Sequence, residues 1–599
     1  MATNKQLEEM ADKLRAHSLR STTAAGSGHP TSCLSCAELI SCLFFSTMGR
    51  DDEFILSKGH AAPILWAAYA EAGMIDPDQL MNLRKVDSDL EGHPSFRMPM
   101  VRTATGSLGQ GLATGAGMAM AMKLDGSSGR VYVLLGDSEC AEGSVWEAAN
   151  AASYHRLDNL VALVDVNRLG QTGQTMFGHD LESYRKRFGA FGWNTAVIDG
   201  HDISEILNVL SEADESEAPF AVIARTLKGR GVSFLEDRNG WHGKPVPEER
   251  LDEALAEIGD HDIRLESEIA HKQYKYDHVD FETDSYTMGD QVATRDAYGK
   301  ALVNLGKVNP RVVVLDAEVG NSTRTEYFFE EFPERSFQLF IAEQAMAGAA
   351  GGLSALGYIP FAATFAAFWT RAHDFIRMAA YSKANIKFAG SHAGVSIGQD
   401  GPSQMGLEDI PMFSCIPGAL VLYPCDAVSA GKLVREMSRH QGISYLRTTR
   451  GKTPVIYDNA ETFPTGKFKV LERSDQDQAL VVAAGITVHE ALKAHTRLKE
   501  DGINIRVIDL YSIKPMDEKG LIENAEECQN RVIVVEDHYS GGIGSEVAKA
   551  VGKIDHLYVR ELPRSGMPGE LMRQYWIDSS AIMRVVREED RRPSPGELI

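Results

Sequence analysis

Val131-Tyr132-Val133-Leu134-Leu135 runs directly into Gly136-Asp137-Ser138-Glu139, and thirty residues beyond Asp137 a second apolar run, Leu160 to Val164, leads through Asp165 and Val166 to Asn167-Arg168-Leu169. Short apolar runs of this kind, closed by turn residues, predict buried strands. Each strand end then presents a hard oxygen donor, the Asp137 carboxylate or the Asn167 amide. One carboxylate and one amide oxygen are what a small divalent cation needs when it already holds a diphosphate, whose oxygens complete the shell. Asp and Asn also cap turns, which is their commonest use, so the two strand ends by themselves leave both readings open.

Working outward, the first 265 residues alternate β-rich apolar runs (131–135, 160–164, 221–224) with helical stretches such as Val145 to His155. That alternation predicts parallel βαβ units with ligands at the carboxyl ends of the strands. Residues 266–288 are polar and read as a linker. A second unit, 289–455, places strands at Arg311–Leu315 and Ala393–Ile397 around a helix at Glu343–Leu356. A third, 465–599, alternates Ala479–Ala484, Val488–Lys499, Ile505–Leu510 and Arg531–Glu536. The expected fold is α/β, three doubly wound modules with mostly parallel sheets.

Bulk properties narrow the partners. With 61 basic and 84 acidic residues the net charge is −23, which repels nucleic acid and anionic membranes at long range. No apolar stretch is long enough for a membrane helix and the N-terminal segment has no signal-like core, so the cytoplasm is the expected compartment. Seven scattered cysteines do not form a disulfide framework; Cys33 and Cys36 have redox-pair spacing but read better as core filler. An anionic ligand would need local cations to overcome the global field.

The segment from Ile341 to Gly352 carries one acid, Glu343, at the start of an otherwise neutral, small-residue helix, and Thr364 to Trp369 follows with an aromatic cluster. A buried carboxyl group in a dry, apolar place can share a proton with a heterocycle, and the aromatics can stack on it. A helix-start acid and core aromatics are the plainer alternatives. Together with Gly136-Asp137 and Asn167, these features resemble the cofactor motifs of thiamine-diphosphate enzymes.

The likeness to one family, transketolase, extends over nearly the whole chain. It is carried by Gly26-Ser27-Gly28-His29-Pro30, Ser57-Lys58-Gly59-His60, Glu91-Gly92-His93-Pro94, Thr105-Gly106-Ser107-Leu108-Gly109-Gln110-Gly111 and Lys228-Gly229-Arg230-Gly231. It continues through Trp241-His242-Gly243-Lys244-Pro245, Gly390-Ser391-His392, Gln399-Asp400-Gly401-Pro402-Ser403-Gln404, Val535-Glu536-Asp537-His538 and Gly541-Gly542-Ile543-Gly544. The wording is closer to the animal-type branch.

The resemblance implies transfer of a two-carbon ketol unit from a ketose phosphate, such as xylulose 5-phosphate, to an aldose phosphate, such as ribose 5-phosphate or erythrose 4-phosphate, through a thiamine-diphosphate carbanion in the pentose phosphate pathway. It implies a homodimer with active sites at the subunit interface. Residue by residue, Glu343 activates the cofactor; His29 and His242 attend the reacting carbonyl and donor hydroxyls; His60 and His93 line the cofactor side. Lys58, Lys228 and His242 help hold the cofactor; Gly106, Ser107 and Leu108 form a loop against its middle; Phe368 and Ser138 join the cofactor-binding set. Asp137, Asn167 and the Leu169 carbonyl ligate Mg2+, Ca2+ or another divalent cation. Arg295, Ser322, His392 and Arg450 take the terminal phosphate, and Asp400 and Gln404 a sugar hydroxyl, two guanidinium forks suiting a phosphate better than lysines would.

Two departures stand out: Ser138 replaces a glycine usual after the metal aspartate, with a cost if its φ is positive, and the loop between Met48 and Phe54 is short. A 1-deoxyxylulose-5-phosphate synthase, a dihydroxyacetone synthase and a non-catalytic transketolase-like binding protein are the rival readings. The two phosphate arginines with Asp400, and the presence of Glu343, His29 and the metal ligands, favour the transketolase-like reading over these rivals.

Overall fold

The computed structural model describes residues 2–274, 276 and 278–589. Lys275 and Asp277 of the expected linker and residues 590–599 of the expected third module lie outside this set. The chain forms two compact units.

The first unit takes residues 2–274 together with Gln344–Gly357 and Asp374–Ala384. Its sheet has five parallel strands in the order Glu53–Leu56, Val131–Gly136, Leu160–Val166, Phe220–Arg225, Asn194–Asp199. Leu160–Val166, the central strand, is buried along its whole length, as its unbroken apolar run requires. Helix Gly111–Leu124 is apolar on every side and lies in the interior. Its Gly117 faces the backbone of helix Glu343–Ala355 so closely that a Cβ would stand 2.0 Å from the Ala349 carbonyl oxygen. Gly352 returns the contact, 2.0 Å from the Thr114 carbonyl oxygen by the same measure. Ala349 and Gly352 therefore serve backbone-to-backbone packing. The short loop after Met48 is tied down by Asp52, which accepts the Gly49 N–H at 2.8 Å and the Arg130 N–H at 2.7 Å. Cys33 and Cys36 are fully buried, and burial pushes their thiols up to about 12 and about 11.

The second unit holds 276–343, Tyr358–His373 and 385–589. Its larger sheet runs Ser512–Lys514, Leu420–Leu422, Ser444–Arg447, Lys387–Ser391, Ile359–Phe365, Val312–Asp316, Ser336–Gln338, parallel except at the first pair. A second sheet orders Lys469–Glu472, Asn504–Asp509, Asp477–Ala483, Val532–Val535 and Asp555–Leu557, again with one antiparallel edge. Ser512–Lys514, from the expected third module, completes the sheet of the expected second, and one core runs through both.

One expected strand is displaced. Ala393–Ile397 is not extended; the strand is Lys387–Ser391, and Val395–Ile397 is a 3-10 turn. The left-handed backbone of His392 (φ 57°) and of Gly394 (φ 74°) breaks the ladder where the apolar letters alone would continue it. Among the described residues of 266–288 there is no helix or strand.

Candidate active site

Asp137 and Asn167 follow adjacent parallel strands, paired as far as Gly136 with Asp165, so the two residues emerge at the same sheet edge. Both line a cavity of about 190 Å³ with Lys58, His60, Leu108, Ser138, Leu169, Lys228 and His242. Asp137 is buried; it accepts the Ser138 N–H at 2.9 Å, the Arg168 N–H at 2.7 Å and the Thr175 hydroxyl at 3.0 Å. Burial, then the nearby Asp165 charge, push its carboxyl up to about 6. The Asn167 amide NH2 donates to Asp165 at 2.9 Å and its oxygen accepts the Leu169 N–H at 3.3 Å, so the amide has one orientation. The Leu169 carbonyl accepts from the Lys228 ammonium at 2.6 Å. A carboxylate, an amide oxygen and a carbonyl on one wall form an oxygen-donor set that fits a small divalent cation with phosphate completing its shell.

Ser138 has φ −60° and ψ −38°, ordinary right-handed backbone, so serine carries no conformational cost there. A Cβ at Gly170 would lie 3.0 Å from its hydroxyl, which places the serine beside the second strand end.

The sequence reading missed what stands behind this wall. Asp165, fully buried, accepts from the Lys58 ammonium, the Thr226 hydroxyl, Ser35 at 2.7 Å and Asn167. The pairing raises the Lys58 ammonium and lowers the Asp165 carboxyl despite their burial. Lys58 lines the cavity, but its charge is already matched inside the protein. Glu139, equally buried, accepts from the Ser57 hydroxyl, the Gly109 N–H at 2.8 Å and the Gly136 N–H at 3.0 Å, joining three of the loops. An acid inside Gly-Asp-Ser-Glu and another ending the second apolar run were visible signals, overshadowed by the Asp and Asn beside them.

Four histidines gather at this wall. Ring centroids of His29 lie 5.2 Å from His60, 5.0 Å from His242 and 6.3 Å from His93, with His60 to His242 at 5.3 Å. Burial, seconded by neighbouring cations, lowers His29 to about 4 and His242 to about 3, and holds His60 and His93 down as well. All four are neutral at pH 7. Lys228 donates to His242 Nδ1 at 2.8 Å, which leaves the ring proton on Nε2. Burial and the Lys58 charge bring Lys228 itself down to about 8. Gly106, at φ 127°, fits against His93, where a Cβ would meet the ring at 2.9 Å. Ser107 donates to Asp374, and with Gly106 it lines a neighbouring cleft of about 450 Å³ rather than the strand-end cavity.

The remaining candidates belong to the second unit. Glu343, 3 % exposed, begins its helix as expected, but not in a purely apolar setting: the Arg371 guanidinium donates to both its oxygens at 3.1 and 3.0 Å. Arg371 lies on the 3-10 segment Ala366–Ala372, two residues past the aromatic cluster expected at Thr364 to Trp369. That cluster divides. Trp369 turns inward, fully buried, donating to the Ala389 carbonyl at 2.9 Å. Phe368 stacks on Phe365 at 5.2 Å and Phe365 on His392 at 3.9 Å, both nearly parallel, a three-ring column.

His392 anchors the phosphate candidates. Its Nε2 is 4.0 Å from Asp400, Asp400 is 3.1 Å from Arg450, and Arg295 donates to the Ser322 carbonyl at 2.9 Å. Burial first, then Arg295, Arg450 and Arg324, lower His392 to about 3. Arg324 is a cation the sequence reading omitted; it pairs with Asp296 at 2.6 Å and Glu326 at 2.9 Å. The Arg295 Nε is buried without a hydrogen-bond partner. Gln404 sits on the same loop, but its amide donates to Ser403 at 3.4 Å, outside this set of contacts.

Three family models cover the chain: the thiamine diphosphate binding domain of transketolase over residues 6–284, its pyrimidine binding domain over 290–455 and its C-terminal domain over 466–582. Human transketolase is 46 % identical over 606 residues, 97 % of each chain, and mouse transketolase-like protein 2 is 47 % identical over 608 residues, again 97 % of each. The chain belongs to the transketolase family. Among solved structures, the transketolase of Campylobacter jejuni superposes with a TM-score of 0.87 at 26 % identity, covering 98 % of this chain and 100 % of that one. The transketolase of Leishmania mexicana superposes at 0.85 with 21 % identity, covering 98 % and 97 %, a likeness of fold. The protein is thus a transketolase-type transferase using thiamine diphosphate, and the synthase and binding-protein readings are not favoured. Among the described residues no helix is long and apolar enough to cross a membrane.

Proposed function

We propose that the chain transfers a two-carbon ketol unit between sugar phosphates in the cytoplasm, within the pentose phosphate pathway, as a homodimer whose active sites lie at the subunit interface. When bound, thiamine diphosphate supplies a carbon nucleophile and an electron sink for the two-carbon unit. The protein's part is binding, orientation and proton traffic. Asp137, Asn167 and the Leu169 carbonyl hold Mg2+ or Ca2+, Lys228 adds a positive charge for the diphosphate, and Ser138 and Leu108 border it. Gly106 and Ser107 shape the adjoining loop, and Lys58 acts through Asp165 by fixing the Asn167 amide. Glu343 would hold a proton toward the pyrimidine ring, with Phe368 offering an aromatic face, and Arg371, which donates to both Glu343 oxygens, would have to share the carboxylate.

His242, with its Nε2 proton fixed by Lys228, donates to a donor-sugar oxygen, and neutral His29 exchanges protons beside it. His60 and His93 complete that side. Arg295, Ser322, Arg450 and His392 bind the terminal phosphate, and Asp400 and Gln404 a hydroxyl. The expected module boundaries, 1–265, 289–455 and 465–599, divide these tasks. The observation that carries the reading is the single cavity lined by Asp137, Asn167, Leu169, Lys228 and His242. The test is coupled turnover of xylulose 5-phosphate with ribose 5-phosphate. Activity should require both thiamine diphosphate and a divalent cation and vanish with chelator; turnover indifferent to either would overturn the reading.

A further inference from the structure

Val535-Glu536-Asp537-His538 and the glycines after it have no place in the site described so far. Glu536 and Asp537 leave strand Val532–Val535 with different destinations. Glu536 accepts the Ile543 and Gly544 N–H groups at 2.6 and 3.1 Å, capping helix Ile543–Val551. Asp537, fully buried, accepts from Arg447 at 2.9 Å and from the Tyr423 hydroxyl at 2.9 Å. Its second oxygen lies against Gly394, where a Cβ would come within 1.8 Å. The Arg447 guanidinium, also fully buried, donates in addition to Asp409 at 2.9 Å and to the Gly406 carbonyl at 2.9 Å, and sits over the Tyr423 ring at 4.5 Å.

Gly394 and Gly406 are the two feet of the loop that bears Asp400 and Gln404, and His392 stands two residues before the first foot. The Gly406 N–H donates to the His392 carbonyl at 3.2 Å, and the Gly394 N–H to the Gly406 carbonyl at 2.9 Å. The loop has three left-handed glycines, Gly394, Gly398 and Gly401, at φ 74°, 85° and 85°, so its own backbone has little stiffness. Its tip is braced as well. A Cβ at Gly398 would lie 3.1 Å from both Gly566 and Pro568, one at Gly401 would lie 2.5 Å from the Ser565 hydroxyl, and Gln399 donates to the Met567 sulfur at 3.1 Å.

We infer that the C-terminal segment is a positioning device for the sugar-phosphate loop, with Asp537 and Arg447 as its positioning residues. A buried carboxylate fills the space that Gly394 leaves free, and the guanidinium it orients fixes the carbonyl beneath His392. Residues 565–568 hold the end of the loop nearest Asp400. The inference rests on the assignment of His392, Asp400 and Arg450 to the substrate.

Steady-state kinetics of the enzyme loaded with thiamine diphosphate and Mg2+ test it, using Tyr423→Phe and Asp537→Asn with ribose 5-phosphate as acceptor. Tyr423→Phe removes one donor to Asp537 and keeps the ring. Losing a hydrogen bond to a buried charge should raise KM for ribose 5-phosphate about tenfold in Tyr423→Phe, and further in Asp537→Asn, with cofactor affinity within about twofold of the parent. KM within about twofold of the parent in Tyr423→Phe, with only the melting temperature lowered, would reduce the network to stability and overturn the inference; this holds whether or not Asp537→Asn folds. Arg450→Ala in the same assay separates the two claims: if it too leaves KM unchanged, the phosphate assignment has failed.

Discussion

The strand-end wall of the first unit and the His392 loop of the second unit both set neutral histidines among cations, half-buried ones at the wall and a buried one at the loop, yet they treat charge in opposite ways. At the wall, Lys58 is matched by Asp165, and Lys228 is satisfied by the Leu169 carbonyl and His242. On the loop side, Arg295 keeps a buried Nε without a partner and the partly exposed Arg450 has one carboxylate at 3.1 Å. The first arrangement is pre-set and resists change; the second leaves positive charge incompletely paired, which the proposed function assigns to an anion. Such reserve is what a protein of net charge −23 needs to bind sugar phosphates at all. Mutations at the wall should therefore register in folding and cofactor retention, and those at the loop in substrate affinity.

The largest effect should come from Glu343, which is in neither class. Glu343→Ala should cut turnover by about 10²–10⁴-fold, the usual span for losing an acid–base group, with thiamine diphosphate affinity nearly unchanged. Hydrogen exchange at the cofactor's C2 position, followed by NMR after acid quench, decides it: exchange as fast as in the parent would remove Glu343 from that role. Next comes Lys58→Met, which leaves the fully buried Asp165 without the cation bonded to it. Breaking a buried pair by one partner costs about 3–5 kcal/mol, so cofactor-free protein should denature at clearly lower urea. An unchanged midpoint would mean the wall is not pre-set. Arg450→Ala, with its side chain 38 % exposed, should barely move that midpoint. It should instead raise KM for phosphorylated acceptors about 10–100-fold, the worth of a hydrogen bond to a charged group, and much less for glycolaldehyde. Equal effects on the two acceptors would erase the contrast between the regions.

This contrast was only half legible in the sequence. Val131–Leu135 and Leu160–Val164 announced parallel strands because the middle of a covered sheet favours long apolar runs, and Asp137 and Asn167 just past them marked the sheet edge where both line one cavity. Asp165 and Glu139 escaped notice because a buried carboxylate is defined by donors far along the chain: Ser35 and Lys58 for one, Ser57 and Gly109 for the other. The displaced strand at Ala393–Ile397 has a related cause. Its letters are apolar, and only the positive φ of His392, which no composition reveals, turns the chain out of the sheet to present the imidazole. Arg371 beside Glu343 and the inward turn of Trp369 depend likewise on how one short 3-10 segment is wound. Arginines 295 and 450 were found through the family likeness, whereas their incomplete pairing is a property of the fold.

A finer probe of the reserve charge is the titration of His392. Burial and the Arg295, Arg450 and Arg324 charges hold it at about 3, against an ordinary value near 6.5. A phosphate anion bound among those arginines would cancel part of their repulsion of an imidazolium, so His392 should titrate higher in saturating inorganic phosphate than in its absence. The histidines of the wall, depressed by burial and then by Arg84 at His29 and Lys228 at His242, should stay where they are. Selective labelling of histidine with NMR at several pH values reads both. Upward movement of His392 alone would place the anion at the loop; equal movement in both regions would mean that phosphate settles at the wall too. The smallest effect expected is at Ser138. Its φ of −60° leaves no strain for glycine to relieve, so Ser138→Gly should leave thiamine diphosphate affinity within about twofold. A markedly tighter complex would show that the serine side chain, rather than its backbone, obstructs the diphosphate, and that the wall is less well pre-set than its pairing of charges implies.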